Sequence, residues 1–176
     1  MNYQIKTAND LTKDEIKNIL KLWDVPAWST MNADYFRLFF KNSEFHFIKD
    51  HFSRLTAIIR LNFDFTLEIS GKEYEFVEAV GLVSAEKGNG KKLIQLLREN
   101  ISNRNLETIG FCNMDLRPFY EKCDVKILHD QAKIIKEKEG TDWITSEDDD
   151  ILIFNADKEK IELLSRLPEN TYLKEK

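Results

Sequence analysis

Apolar residues recur along the chain with two periods, and the places where one period gives way to the other mark its elements. Tyr3 to Ala8 alternates briefly and predicts a first strand. Asn9-Asp10-Leu11-Thr12 then offers caps, and Ile16, Ile19, Leu20 and Trp23 share one face of a helix over 13–23. Val25-Pro26-Ala27-Trp28-Ser29-Thr30 breaks it, and Tyr35, Leu38 and Phe39 at helical spacing predict a second helix over 31–41. From Phe45 to Val83 the period shortens, giving strands over 45–48, 55–67 and 74–83. Ser70-Gly71-Lys72 turns between the last two, in an antiparallel meander. Leu93, Leu96 and Leu97 mark a helix over 88–100, and Leu106 to Phe111 a short buried strand. Strand, helix and strand in that order imply a parallel crossover. A short helix over 113–122 and strands over 125–128 and 150–155 follow. The polar stretch 139–149 reads as a loop, and 157–167 as an amphipathic helix beyond the core.

The chain has 176 residues, which suits one domain over 1–176, with a core of about 3–155 and a C-terminal helical extension over 156–176. It is 42% hydrophobic and 32% charged, an ordinary globular balance. The net charge of −5 argues against broad nucleic-acid or anionic-membrane binding, which need a basic field, and suits a cationic partner. The N-terminus Met1-Asn2-Tyr3-Gln4-Ile5-Lys6 has no apolar signal core, and no run reaches the roughly 18 residues of a membrane span. A cytoplasmic protein is expected. Cys112 and Cys123 stand without a His or Cys cluster at metal spacing, so reduced thiols and no metal site are expected. The acidic run Glu147-Asp148-Asp149-Asp150 reads as a solvated hairpin loop rather than a cation cage, and it could steer an amine.

Chemistry concentrates where the strand Val80-Gly81-Leu82-Val83 runs through Lys87-Gly88-Asn89-Gly90 into a helix led by Lys91 and Lys92. Glycines allow close backbone approach. The free N–H groups of a helix's first turn, with the helix dipole and the lysines, attract a pyrophosphate.

A second segment, Cys112-Asn113-Met114-Asp115-Leu116-Arg117-Pro118-Phe119-Tyr120-Glu121-Lys122-Cys123-Asp124-Val125, resembles the signature after the fifth strand of the GNAT superfamily of acyl-CoA-dependent N-acetyltransferases. That signature is N-x-x-A-x-x-hydrophobic-Y-E-K-x-G-F. Asn113, Phe119, Tyr120, Glu121 and Lys122 fall in register, whereas Cys123-Asp124-Val125 replaces x-G-F. The glycine turn resembles the family's acyl-CoA motif, Q/R-x-x-G-x-G/A, but lacks the Arg or Gln arm and about three residues before the glycines. The two motifs cover roughly 80–128, and the element order extends the resemblance to about 3–155.

The resemblance implies an α/β GNAT fold: a mixed, twisted sheet of about seven strands, splayed between the fourth and fifth, flanked by helices and extended by a C-terminal helix. It implies direct transfer of an acetyl group from acetyl-CoA to a primary amine of a small molecule or peptide. A non-catalytic GNAT-like binding or regulatory module is the alternative, and a homodimer is left open. Tyr120 matches the family's general acid, against the role of a packing tyrosine. Asn113 matches the residue that contacts the pantetheine arm, and is also a helix N-cap candidate. Val80, Gly81, Leu82 and Val83 would meet the pantetheine through their backbone, with Gly81 at the bulge. Lys87, Gly88, Asn89, Gly90, Lys91 and Lys92 would hold the pyrophosphate, and Phe119 would lie beside the cofactor. For the base, Glu78 comes first, with Glu75 and His46 as rivals. Trp28 and Tyr35 fall where family members bind the acceptor, against a role in core packing.

Overall fold

In the computed structural model, which describes residues 1–174, the alternation at the N-terminus becomes β1 (Asn2–Thr7). It pairs antiparallel with β2 (Ser43–Lys49), Ile5 opposite His46. β2 in turn pairs antiparallel with β3 (Leu55–Ile69), Phe47 opposite Ile58. The chain divides into two compact units, Met1–Asn62 with Val80–Leu97, and Phe63–Ala79 with the chain from Arg98 onward.

The first unit is built on phenylalanine. Helix α1 (Lys13–Trp23) buries Ile16 and Ile19, and α2 (Ala33–Phe39) buries Phe36. Both pack with Phe40, Phe45, Phe47 and Ile58 in one cluster. The four phenylalanines are each at most 2% exposed. At about 1.5–3 kcal/mol for burying such a side chain, this cluster is the unit's main source of stability.

Thr12 starts α1 through a capping box with Glu15. The Glu15 carboxylate also accepts from Lys6 on β1 at 2.8 Å and from Lys49 on β2 at 2.7 Å. Burial opposes its ionisation, but the hydrogen bonds from Lys49, Lys6 and the Thr12 N–H outweigh burial and hold its pKa down to about 2. A depressed carboxyl pKa stabilises the fold above the ordinary value of 4.5, and the contribution is lost as pH falls toward 2. Solvent screens this partly exposed cluster, so the contribution is on the order of 1 kcal/mol. Urea unfolding of wild type and Glu15→Gln should therefore differ most near pH 7 and converge between pH 5 and 2. A gap that stays constant with pH would contradict this account.

In the second unit β3 turns into β4 (Lys72–Ser84) through Ser70 and Gly71, both left-handed at φ 51° and 80°, the two-residue hairpin whose twist matches its strands. Helix α3 (Asn89–Asn103) then makes the crossover to β5 (Thr108–Cys112). β5 runs parallel to β4 with Val77 opposite Thr108 and Glu78 opposite Ile109. Gly110 follows, where an added Cβ would lie 2.7 Å from the Ala79 carbonyl oxygen, so the close approach of these strands needs glycine. β5 pairs antiparallel with β9 (Asp150–Asn155), and β9 with β6 (Lys126–Leu128). On the other side β3 pairs with β10 (Thr171–Lys174), β10 with β7 (Lys136–Glu139), and β7 with β8 (Asp142–Thr145). The order is β6-β9-β5-β4-β3-β10-β7-β8, a mixed sheet. Helices α4 (Arg117–Lys122) and α5 (Lys158–Leu164) complete the unit.

Three expectations change. Ten strands replace about seven among the described residues. The stretch 139–149 holds part of the β7–β8 hairpin, which turns at Gly140 with φ 61°. The helix expected over 157–167 ends at Leu164, and Leu164 and Leu167 are buried in the main cluster with Phe65, Leu67, Phe76 and Ile109. The segment after 156 is therefore part of the core, and β10 returns it to the sheet. No helix among the described residues is long and apolar enough to cross a membrane.

Candidate active site

The residues singled out in the sequence fall into two sets. Val80–Lys92, Trp28 and Tyr35 lie in the first unit, and Glu78, Asn113, Phe119 and Tyr120 in the second.

In the first unit the end of β4 is kinked. Gly81 has φ 70°, and its carbonyl accepts a 2.8 Å hydrogen bond from the indole Nε1–H of Trp23 at the end of α1. An added Cβ would meet that indole at 3.2–3.4 Å, so both the backbone angle and the space favour glycine. Val80, Leu82 and Val83 are half-buried, and Val83 packs on the phenylalanine cluster.

The turn that follows is braced at several points. The Ala85 N–H donates to the Thr56 carbonyl at 2.8 Å, and the Ser84 hydroxyl to the Glu86 carbonyl at 2.7 Å. The Asn89 amide donates to the Thr56 hydroxyl at 2.9 Å and to the Glu86 carboxylate at 3.2 Å. Gly88 has φ 90° with nothing within 4 Å of where a Cβ would stand, so its backbone faces open space. The Lys92 N–H is spent on the Gly88 carbonyl. The Asn89 N–H donates to the Glu86 carbonyl at 3.3 Å, which leaves Gly90 and Lys91 as the first-turn residues of α3 whose N–H groups lack intrahelical acceptors. Lys87, Lys91 and Lys92 are exposed around them, and Gly90 is buried. The positive end of the α3 dipole and three lysines thus fall together at this turn.

Trp28 and Tyr35 line one cavity of about 400 Å³ with Met31, Asn32 and Phe39. Asn32 caps α2 by accepting from the Tyr35 backbone N–H at 2.8 Å. Trp28 packs edge-on to Phe39 and Phe40, so it serves core and cavity together.

In the second unit Asn113 is exposed at the N-cap of a 3-10 turn, Met114–Leu116. Its side chain makes no capping bond, which leaves the amide outside the structural role open to it. Tyr120 is 7% exposed, edge-on to Phe154 and to half-buried Phe119. Burial pushes its phenol above the ordinary range, and Cys112, Cys123 and Asp148 add to the shift. Asp124, in the place of the signature's glycine, adopts φ 55°, the left-handed angle that aspartate tolerates. Arg98 seals this corner by donating to the Cys123 and Asp124 carbonyls. Glu78 is half-buried on β4. Both cysteines are free and buried, and burial, followed by Asp150, pushes the Cys112 thiol up to about 12, so it stays protonated.

The acidic run departs from the solvated loop expected of it. Asp150 has no exposed side-chain surface and pairs with Arg117 of α4 through two oxygens, at 2.5 and 2.6 Å. Asp149 accepts from the Met114 N–H at 2.7 Å. Asp148 is half-buried, and burial followed by Glu137 raises its pKa. Two of these carboxylates thus tie the Met114–Lys122 segment to the start of β9, and the buried Asp150 carboxylate finds in Arg117 the donors its burial requires. Sequence reasoning also missed Trp23 as the partner of Gly81 and Thr56 as the partner of Asn89. Both partnerships join residues far apart along the chain, and no local pattern signals them.

No family model and no curated protein sequence matches this chain. Solved structures do match it. An acyl-CoA N-acyltransferase from Pseudomonas aeruginosa is similar with a TM-score of 0.55 at 15% identity, over 86% of this chain and 97% of that one. A GNAT family N-acetyltransferase from Escherichia coli, in complex with CoA, is similar with a TM-score of 0.57 at 9% identity, over 99% and 89%. A protein from Enterococcus faecalis described as a probable N-acyltransferase is similar with a TM-score of 0.51 at 13% identity over 72% of this chain, which spans only 32% of that protein. At such identities the likeness is one of fold, and the chain has the GNAT fold.

Proposed function

We propose that the protein is an N-acyltransferase that moves an acetyl group from acetyl-CoA directly to a primary amine of a small molecule or peptide. The observation that carries this reading is the end of β4: a glycine kink at Gly81, leading within a few residues to a glycine turn that opens α3. The residues suit CoA, because Gly88 leaves open a space that a side chain would occupy, and the first turn of α3 meets it with N–H donors and lysines. The backbone of Val80–Val83 would hold the pantetheine amides and the Asn89 side would face the diphosphate. Asn113 and Phe119 would complete the cofactor contacts.

In the reaction the amine nitrogen attacks the thioester carbonyl carbon, the C–N bond forms, the C–S bond breaks, and the CoA sulfur takes a proton from Tyr120. Glu78 would take one proton from the ammonium before it attacks and pass it to solvent, the second proton leaves to solvent after the C–N bond forms, and Tyr120 is restored from solvent. An aromatic cavity with Trp28 and Tyr35 suits an amine that carries its charge to the site, since ring faces attract cations.

The test begins with the cofactor. Millimolar acetyl-CoA should raise the melting temperature by several degrees, as expected of any ligand that binds only the folded state well above its Kd. Turnover is then sought with polyamines, amino acids and aminoglycosides. If no CoA species moves the melting curve, the reading fails.

A further inference from the structure

Trp23 belongs to neither motif, yet its indole N–H holds the carbonyl of the kinked glycine on β4 at 2.8 Å. The ring has little freedom to leave. It lies 5.6 Å from Trp28, 5.7 Å from Phe40, 6.1 Å from Phe45 and 6.4 Å from Phe36, centroid to centroid. Asp24 closes α1 immediately after it with φ 51°, its N–H returning to the Leu20 carbonyl, so the indole is anchored at its root as well. The Gly81–Leu82 peptide is trans, so its C=O and its N–H point in opposite directions. Glycine at φ 70° could rotate this peptide at little cost. The indole removes that freedom.

We infer that Trp23 is a positioning residue: by fixing the Gly81 carbonyl it aims the Leu82 N–H at the thioester carbonyl of bound acetyl-CoA. The inference rests on the acyl-CoA reading above. A donor held in advance toward an oxygen that gains charge stabilises the transition state without reorganising during the reaction. Trp23 itself never touches the reacting atoms.

The test needs no acceptor amine. Acetyl-CoA labelled with 13C at the thioester carbonyl is added to the wild-type protein and to Trp23→Phe, which keeps an aromatic ring but has no N–H. In wild type the bound carbonyl resonance should move downfield of the free one, and acetyl-CoA should bind more tightly than CoA. In Trp23→Phe the displacement should largely vanish and the acetyl-CoA preference fall about fivefold, as for loss of one neutral hydrogen bond, with CoA affinity unchanged. A merely structural tryptophan would alter neither the resonance nor the preference selectively. If Trp23→Phe does not fold, the wild-type indole N–H resonance of Trp23 serves instead. It should respond to acetyl-CoA and not to CoA, and an equal response to both overturns the inference. An unchanged carbonyl displacement in Trp23→Phe overturns the role of Trp23 and leaves the acyl-CoA reading standing. Failure of wild type to bind either CoA species overturns both.

Discussion

Replacing Asp150 with alanine should destabilise the fold by about 3 kcal/mol, the lower end for breaking a buried ion pair, because the abandoned partner can still reach water. That partner, Arg117, keeps 24% of its side chain exposed, whereas Asp150 has none exposed. For a chain of this length such a loss lowers the melting temperature by roughly 6–12 °C. The asymmetry makes a sharper test. Arg117→Ala strands a carboxylate with no access to solvent and only the Asp130 N–H left as donor, so at pH 7 it should be the worse of the two substitutions. The stranded carboxyl would have its pKa raised by burial. A raised folded pKa is a penalty that disappears once pH falls below the unfolded value, so the gap between the two variants should close in acid. Chemical unfolding of both at pH 7 and pH 4 reads the difference. Equal stabilities at pH 7 would show that the pair is solvated.

This ion pair also shows where reading the sequence stops. Helix α1 was legible because Ile16, Ile19 and Leu20 repeat at helical spacing behind the capping residues Asn9–Thr12, and α3 from the spacing of its leucines. The parallel pairing of β4 and β5 followed from one amphipathic helix between two apolar runs. Asp150, however, looks like the last member of a polar loop. The strand over 150–155 was legible, but nothing within a few residues reveals that its first residue faces Arg117, 33 positions earlier. β8 was invisible for a different reason. All four of its residues are exposed, so no alternation marks it, and Trp143 meets Tyr172 of β10 edge-on. The glycine turn was legible as the break between β4 and α3, because Gly88 and Gly90 interrupt the apolar run. Its bracing by Thr56, and the hold of Trp23 on Gly81, are long-range pairings that only the folded chain creates.

Tyr120→Phe should lower turnover about 100-fold with any amine the wild type acetylates, the low end for loss of a general acid. Acetyl-CoA binding, read from the thermal shift, should stay the same. The substitution separates two roles. The ring packs edge-on to Phe154 at 6.4 Å and beside Phe119 at 5.1 Å, and phenylalanine preserves both contacts. A tyrosine retained only for packing would therefore lose almost nothing in turnover. The pH dependence adds a second constraint. Burial, reinforced by Cys112, Cys123 and Asp148, raises the phenol above its ordinary value of 10.0, so its acid form persists throughout the neutral and mildly alkaline range. As a proton donor it is competent below that raised pKa and fails only above it. The kcat profiles of wild type and Tyr120→Phe should therefore run parallel up to about pH 10, displaced by a constant factor. An alkaline fall near pH 8 that is present in wild type and absent from Tyr120→Phe would mean that the phenol titrates where its burial forbids it, and the raised pKa would be wrong although the acid role would stand.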